Sequence, residues 1–468
     1  MIADRLRQLR LAELYALLAL VFLVGLFVLR TLLQTVPQFV LPAAGGMVAV
    51  VAMLFAGTRL MLPVYFLTTF GTVIALPGVP PSISLNRVAA ALLLGAALLE
   101  TPAVRHRFLV TPAVALFAAF QLYYLPVSMV LAPPEIDFPI ESLFYILIAV
   151  VLATRFWRES WMRSISWAIL LTSVLAVVVP GTIELIVGRN ITVSGVSGRL
   201  LRLNGLSVNA IVFAFTAVFA MPFGMFLALE SRSFAARLVA LGSVGALGVL
   251  ALLTLNRQTP IIMAGVFLVF VALIRSSYRA HLLGIVVLIG LVAAPVVGAK
   301  VVERFSKASD FRKDPSLAVR RDKALIAYEM IGRNAWLGVG HNHYHVLFKD
   351  YRPKGQLYIL PWILDRHQYI DLGYLQILTE YGIIGSVLVM LLFVYTGIMF
   401  FRAYRHSLGF SDTFWTNLLA ALAAVFAQLL ISMLIQDTFV TPRTYILFGL
   451  FFAACAGIEH RLERGNAA

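Results

Sequence analysis

The stretch Leu238–Arg275 reads LVALGSVGALGVLALLTLNRQTPIIMAGVFLVFVALIR. Two apolar runs, 236–254 and 259–275, flank a very tight link that holds a single charge, Arg257. Each run approaches the roughly 20 residues that a helix needs to cross the hydrocarbon core of a bilayer. Short alternating segments, the mark of a membrane barrel, are absent. In lipid a backbone must satisfy its own hydrogen bonds, and a helix does so within one segment. The stretch predicts two membrane-spanning helices.

The same reading extends outward. The chain has 468 residues, of which 61% are hydrophobic and only 13% charged, and its mean hydropathy is +0.92. A soluble globule of this length has too little polar coat for that composition. Hydropathy predicts about 14 spans, near 12–29, 39–57, 60–76, 86–100, 108–131, 141–155, 164–187, 206–229, 236–254, 259–275, 280–299, 372–401, 413–435 and 443–459. The expected fold class is all-α, a polytopic integral membrane protein. Residues 1–299 would hold spans 1 to 11, residues 300–371 one long loop, and residues 372–468 spans 12 to 14. The N-terminal apolar run reads as an uncleaved first span, since no small-residue cleavage site stands out. Cys455 is the single cysteine, so neither a disulfide nor a paired-cysteine metal site is expected.

The formal net charge of +15 would suggest nucleic acid on a soluble protein. Here the arginines punctuate the apolar runs, and orientation and anionic lipid account for much of the charge. With both termini in the cytoplasm, every inside segment carries at least one Arg, for example Arg105 and Arg107, Arg275 and Arg279, Arg402 and Arg405, and Arg461. The short outside loop LAPPEIDFPIES (131–142) has none. The exceptions are informative: Arg189, Arg199, Arg202, Arg257 and the long loop fall outside. Near the bilayer an Arg costs several kcal/mol unless it snorkels or finds a partner.

The long loop has three parts. The first is polar and irregular. The second, RRDKALIAYEMIGRNAWLG (320–338), spaces Ala324, Ala327, Tyr328 and Ile331 as one face of an amphipathic helix. The third opens with LGVGHNHYHVLF (337–348), which holds three of the chain's eight histidines. On an extended strand His341, His343 and His345 would share one face. The motif has no Cys or acidic ligand, so a metal is not expected. His343 and His345 read as loop-shaping residues. His341, beside Gly338 and Gly340, is the candidate for chemistry, because those glycines permit a tight turn or a close approach.

Four outward pieces then align: RLNGLSVNA (202–210), LNRQTP (255–260), VRRDKALIAYEMIGRNAWLGVGHNHY (319–344) and DLGYLQILTEYGIIGSVLVMLLF (371–393). Their order and spacing resemble the O-antigen ligase and O-antigen polymerase superfamily over about 200 residues, Arg199 to Leu391. The resemblance implies a metal-independent, inverting glycosyltransferase of the GT-C type, without a cofactor. It implies a glycan donor on undecaprenyl pyrophosphate and a periplasmic active site in the bacterial inner membrane. Membrane lipids and a chain-length regulator or lipid A core are the further partners it suggests; nucleic acid is not among them. Ligases of the superfamily carry a histidine eleven residues before the first of two glycines that match Gly382 and Gly385; here that position is Asp371. The departure favours a polymerase of O-antigen or exopolysaccharide over a ligase.

The chemistry explains the residue types. Cleavage of a sugar–phosphate bond builds negative charge on the pyrophosphate, which guanidinium groups stabilise through short, bidentate bonds. Arg202 and Arg257 are the first candidates, Arg199 and Arg320 the next. The attacking sugar hydroxyl needs a base, and Asp371, His341 and His367 are candidates. Asn209, His343 and Tyr374 are the candidates for contact with the glycan. A transporter of lipid-linked sugars is the reading from another class. It would place ionisable or helix-breaking residues in mid-span, often in paired halves, whereas the spans here are mostly clean and the charge gathers at one face.

Overall fold

A computed structural model describes most of 61–69, then 85–99, 112–131, 140–188, most of 210–276, 315–353, 370, 372–434 and 441–466, with a few isolated positions. These residues form helices and no strand. Seven described helices are long and apolar enough to cross a membrane, and two more are apolar but shorter. The chain is an all-α polytopic membrane protein. The spans predicted at 12–29, 39–57 and 280–299 lie outside the described residues, as does most of 60–76.

The chain divides into two units, 1–104 with 147–256, and 105–146 with 257–468. The first holds α1 (Leu85–Leu99), the second half of α3 (Ile140–Arg155), α4 (Glu159–Ser173), α5 (Val179–Val187), α6 (Ala210–Glu230) and α7 (Phe234–Leu253). α4 and α5 are one span joined by a π turn, Val174–Val178. Pro180 follows that turn. It lacks an N–H, and its ring crowds the carbonyl of residue i−4, so the wider turn relieves the conflict. Gly188 closes the span in the left-handed region at φ 69°, and its N–H bonds the Glu184 carbonyl at 2.9 Å. α6 is apolar all round, and Phe213, Phe219, Phe223 and Phe226 are fully buried, as expected of a helix ringed by others.

The second unit holds α2 (Pro112–Val130), the start of α3, α8 (Gln258–Leu273), α9 (Pro315–Arg333), the single turn α10 (Tyr344–Leu347), α11 (Gly373–Leu408), α12 (Phe414–Met433) and α13 (Pro442–Asn466). α11 packs on α2 and α12, and α12 on α8 and α13. Phe117 of α2 meets Tyr445, Phe448 and Phe452 of α13 at ring distances of 5.3–6.0 Å. α9 starts on Pro315, whose fixed φ suits a first helical position. The amphipathic spacing read from the sequence does form a helix. Ala318, Asp322, Lys323, Ile326, Ala327 and Met330 are buried, while Tyr328 is 62% exposed. Ile326, Ala327 and Met330 form a small core with Val339, Tyr344, Phe348 and Ile370. That core carries the histidine segment.

Candidate active site

The site grows from a break in a helix. Within α11, Gly382 has φ 63° and ψ −168°, which no helix permits. An unbroken helix would bond the N–H groups of Ile383 and Ile384 to the carbonyls of Thr379 and Glu380. Instead, four separate bonds form with the segment before the histidines. Ile383 donates to Ala335 O at 2.8 Å and Ile384 to Trp336 O at 3.3 Å. Val339 donates to Thr379 O at 3.0 Å and Gly340 to Glu380 O at 2.9 Å. The freed backbone groups are thus satisfied, as buried ones must be. The Tyr123 hydroxyl supplies a further donor, to Tyr381 O at 2.9 Å.

This clasp explains the glycines. A Cβ at Gly338 (φ 72°) would lie 2.5 Å from the Glu380 carbonyl carbon and oxygen and 2.6 Å from Gly382 N. A Cβ at Gly382 would run into the Trp336 carbonyl. The close approach anticipated for Gly338 is therefore an approach to another backbone. Asn342 follows at φ 59°, a conformation that Asn tolerates better than most residues.

The clasp delivers His341 to the first turns of α11. Its backbone N–H donates to Ser128 Oγ of α2 at 2.8 Å. Its Nδ1 lies 2.8 Å from the Tyr381 hydroxyl and 3.7 Å from Glu380 Oε2. The imidazole stacks on the Tyr381 ring, with centroids 5.9 Å apart and 13° between planes, and meets Tyr124 edge-on at 5.5 Å. No described residue bonds its Nε2. Glu380 is 2% exposed and accepts a bond from Gln376 Nε2 at 3.2 Å. Under the tyrosines, the Tyr445 hydroxyl donates to Gln121 Oε1 at 3.1 Å and lies 3.4 Å from the Tyr124 hydroxyl.

The three histidines do not line an extended strand. A turn occupies 341–342 and α10 begins at Tyr344, so the alternating geometry that a shared face requires is lost. Among the described residues no group of His, Cys, Asp and Glu is arranged to hold a metal. His343 is 1% exposed and its Nδ1 bonds the Val339 carbonyl at 2.7 Å. A carbonyl only accepts, so Nδ1 carries the proton. Burial holds His343 below the usual imidazole range, against the pull of that bond and of Glu380.

The other predicted residues divide by position. Tyr374 is exposed at the start of α11, and its hydroxyl donates to Leu430 O of α12 at 3.1 Å. Arg320 is half-buried on α9. Asp371, His367, Arg199, Arg202, Arg257 and Asn209 lie outside the described residues. Glu380, Gln376, Tyr381 and Tyr124 were not singled out from the sequence. One signal was present for Glu380: a lone carboxylate inside an apolar run is expensive and is kept for a reason. The tyrosines had none, because aromatics in apolar runs read as core.

The arrangement offers an oriented imidazole with one nitrogen held and the other bonded to no described residue. That suits it to accept a proton from a hydroxyl. A comparison with curated proteins found no match. Residues 217–390 match the family model described as O-antigen ligase, an interval that contains the clasp, His341 and Glu380.

Proposed function

We propose that this chain, whose residues 217–390 match the family model described as O-antigen ligase, is a membrane enzyme of glycosyltransferase type in lipopolysaccharide biosynthesis and catalyses the following reaction. The protein polymerises undecaprenyl-pyrophosphate-linked repeat units at the periplasmic face of the inner membrane, with inversion at the anomeric carbon and without a metal. The acceptor hydroxyl of one unit gives up its proton and attacks the anomeric carbon of another. The bond to pyrophosphate breaks and its electron pair leaves with the lipid. The observation that carries this reading is the His341 imidazole, held at Nδ1 and bonded at Nε2 to no described residue, within the matched interval.

On this reading His341 takes the acceptor proton, with Asp371 and His367 as the alternative bases. Arg202 and Arg257, with Arg199 and Arg320 behind them, bind the pyrophosphate. Asn209 and Tyr374 contact the glycan, and His343 supports the loop behind the base. The inside-positive distribution of arginines supports cytoplasmic termini and an outward-facing His341 end. Asp371, at the position where ligases carry histidine, favours polymerisation. The matched family's own description favours the second reading, transfer of the finished glycan to lipid A core.

A turnover assay separates the two. Purified protein is given lipid-linked repeat units in the presence of EDTA, with and without lipid A core. A ladder of products without lipid A core is the expected result. Product only with lipid A core would overturn polymerisation in favour of ligation, and no product until a divalent ion is restored would overturn metal independence. In the same assay Arg257→Ala should lower the rate by roughly 10²–10³-fold, the usual loss on removing one donor to a developing negative charge.

A further inference from the structure

Glu380 is a buried carboxylate in the second turn of α11, and the proton transfer assigned to His341 does not yet use it. We propose that Glu380 is the positioning residue of His341. Its carboxylate selects the tautomer that carries the proton on Nδ1, leaving the Nε2 lone pair for the acceptor hydroxyl, and it stabilises the imidazolium that results. The proposal rests on the reading of His341 as the base.

Three observations carry it. The first is direction: Glu380 Oε2 lies 3.7 Å from Nδ1 and the Tyr381 hydroxyl 2.8 Å from the same nitrogen, while no described residue bonds Nε2. The carboxylate and the open nitrogen thus occupy opposite sides of one ring. A negative charge beside Nδ1 favours the N–H there, which the Tyr381 oxygen can accept.

The second is that the distance is set by backbone. Gly340 N–H bonds Glu380 O at 2.9 Å and Val339 N–H bonds Thr379 O at 3.0 Å. Glu380 is therefore joined through its own carbonyl to the residue that precedes His341. Ser128 takes the His341 N–H, and the rings of Tyr124 and Tyr381 flank the imidazole. Few rotamers survive in that enclosure, as a preorganised group requires.

The third is the hold on the carboxylate. Gln376, one turn earlier on the same helix face, donates to Oε2 at 3.2 Å. The glutamine of the Tyr-Leu-Gln stretch thereby fixes the oxygen that faces the imidazole. A carboxylate at 2% exposure persists where hydrogen bonds and an opposing cation compensate its burial. At rest Gln376 supplies such a bond, and the imidazolium formed during turnover adds the cation. In the step itself the acceptor O–H breaks, the proton goes to Nε2, and the oxygen's electron pair forms the new glycosidic bond.

The test joins a spectroscopic and a kinetic readout on the full-length protein in nanodiscs. Histidine labelled with ¹⁵N reports the tautomer, and His341→Gln identifies the His341 signal by its loss. The wild-type protein should show the Nδ1-protonated form, and Glu380→Gln a mixture of tautomers. With the lipid-linked repeat unit as substrate, Glu380→Gln should lower kcat by about 10²–10⁴-fold, the range for losing the orienting carboxylate or partner of a functional histidine. KM should stay within about 2-fold of wild type, since only a group acting in the transition state is lost. Glu380→Asp keeps the charge and should recover part of kcat. It also serves as the folded comparison if the Gln variant does not assemble. An unchanged tautomer and kcat in Glu380→Gln, or an Asp variant that folds yet has the tautomer mixture and recovers nothing, would overturn the proposal. Full turnover by His341→Gln would overturn the base assignment itself, and the role of Glu380 with it.

Discussion

The two ends of the second unit use their polar side chains in opposite ways. At one end, Arg275 Nη1 donates to Leu408 O at 2.8 Å and to Phe410 O at 3.0 Å, and the Arg275 N–H bonds Asn417 Oδ1 at 3.0 Å. The Tyr404 hydroxyl donates to Leu273 O at 2.7 Å, Arg279 Nε to Ile274 O at 2.7 Å, and Arg461 pairs with Asp412 over the Phe410 ring. The acceptors are largely the orphan carbonyls of helix C-termini, which also attract cations through the helix dipole. At the other end, backbone satisfies backbone through the Gly338–Gly382 clasp, and His341 Nε2 bonds no described residue. The difference teaches that an arginine-rich segment is not by itself a reactive one. Where guanidinium groups saturate helix ends they hold the bundle, and an unsaturated imidazole on a fixed backbone is the better pointer to chemistry.

The sharpest way to break this comparison is to attack the clasp. Gly382→Ala places a Cβ against the Trp336 carbonyl in a backbone region that L residues avoid. Backbone cannot yield as a flexible side chain can, so a loss of about 4 kcal/mol or more is expected. The measurement is thermal unfolding in detergent together with turnover, and both should collapse. Gly397→Ala, on the same helix with nothing within 4 Å, should match wild type or gain slightly from helix propensity. An active, stable Gly382→Ala protein would show that the clasp does not hold the site.

The next variant sharpens the other half. Arg275→Ala removes two guanidinium–carbonyl bonds at a solvent-exposed end. Bonds to charged groups contribute about 1.5–3 kcal/mol when buried, and exposure reduces that to roughly 1 kcal/mol. The thermal midpoint should fall by a few degrees while turnover per folded molecule stays at the wild-type level. A selective loss of turnover would bring the arginine end into the chemistry and dissolve the contrast.

How far each end was legible follows from the kind of interaction that builds it. Among the described residues several spans were legible because an apolar run bounded by charge has one outcome in lipid: the predicted 236–254 is the helix Phe234–Leu253, and 413–435 is Phe414–Met433. The arginine end was legible as well, since charge counts alone assigned Arg275, Arg402 and Arg461 to one side. The π turn at Val174–Val178 and the break at Gly382 were not, because both sit inside runs whose apolar content never changes. The helix itself was legible as α9, but burial of Asp322 and Lys323 on it was not, because an apolar-only reading cannot assign charged residues to a packed face. His341 was picked out by its glycines. Its partner Glu380 lies far along the chain, and only the clasp brings the two together.

The smallest effect expected is also the one that separates the two ends without a mutation. His343 is buried with its Nδ1–H on the Val339 carbonyl, and burial holds it below the usual imidazole range. An unfolded chain titrates near pH 6.5 at this position. Below that value the unfolded state therefore binds more protons than the folded one, and stability rises with pH. The contribution of His343 is fully present above about pH 6.5 and is lost as pH falls toward the depressed folded value. The guanidinium–carbonyl bonds around Arg275 do not titrate in this range. Hydrogen exchange measured at pH 7.5 and at pH 5 should thus quicken over residues 338–348 on acidification and leave 404–417 comparatively protected. His343→Gln should remove most of the difference. Equal quickening at both ends would mean that the two share one cooperative opening, and that the clasp and the arginine contacts hold a single structure rather than two separable ones.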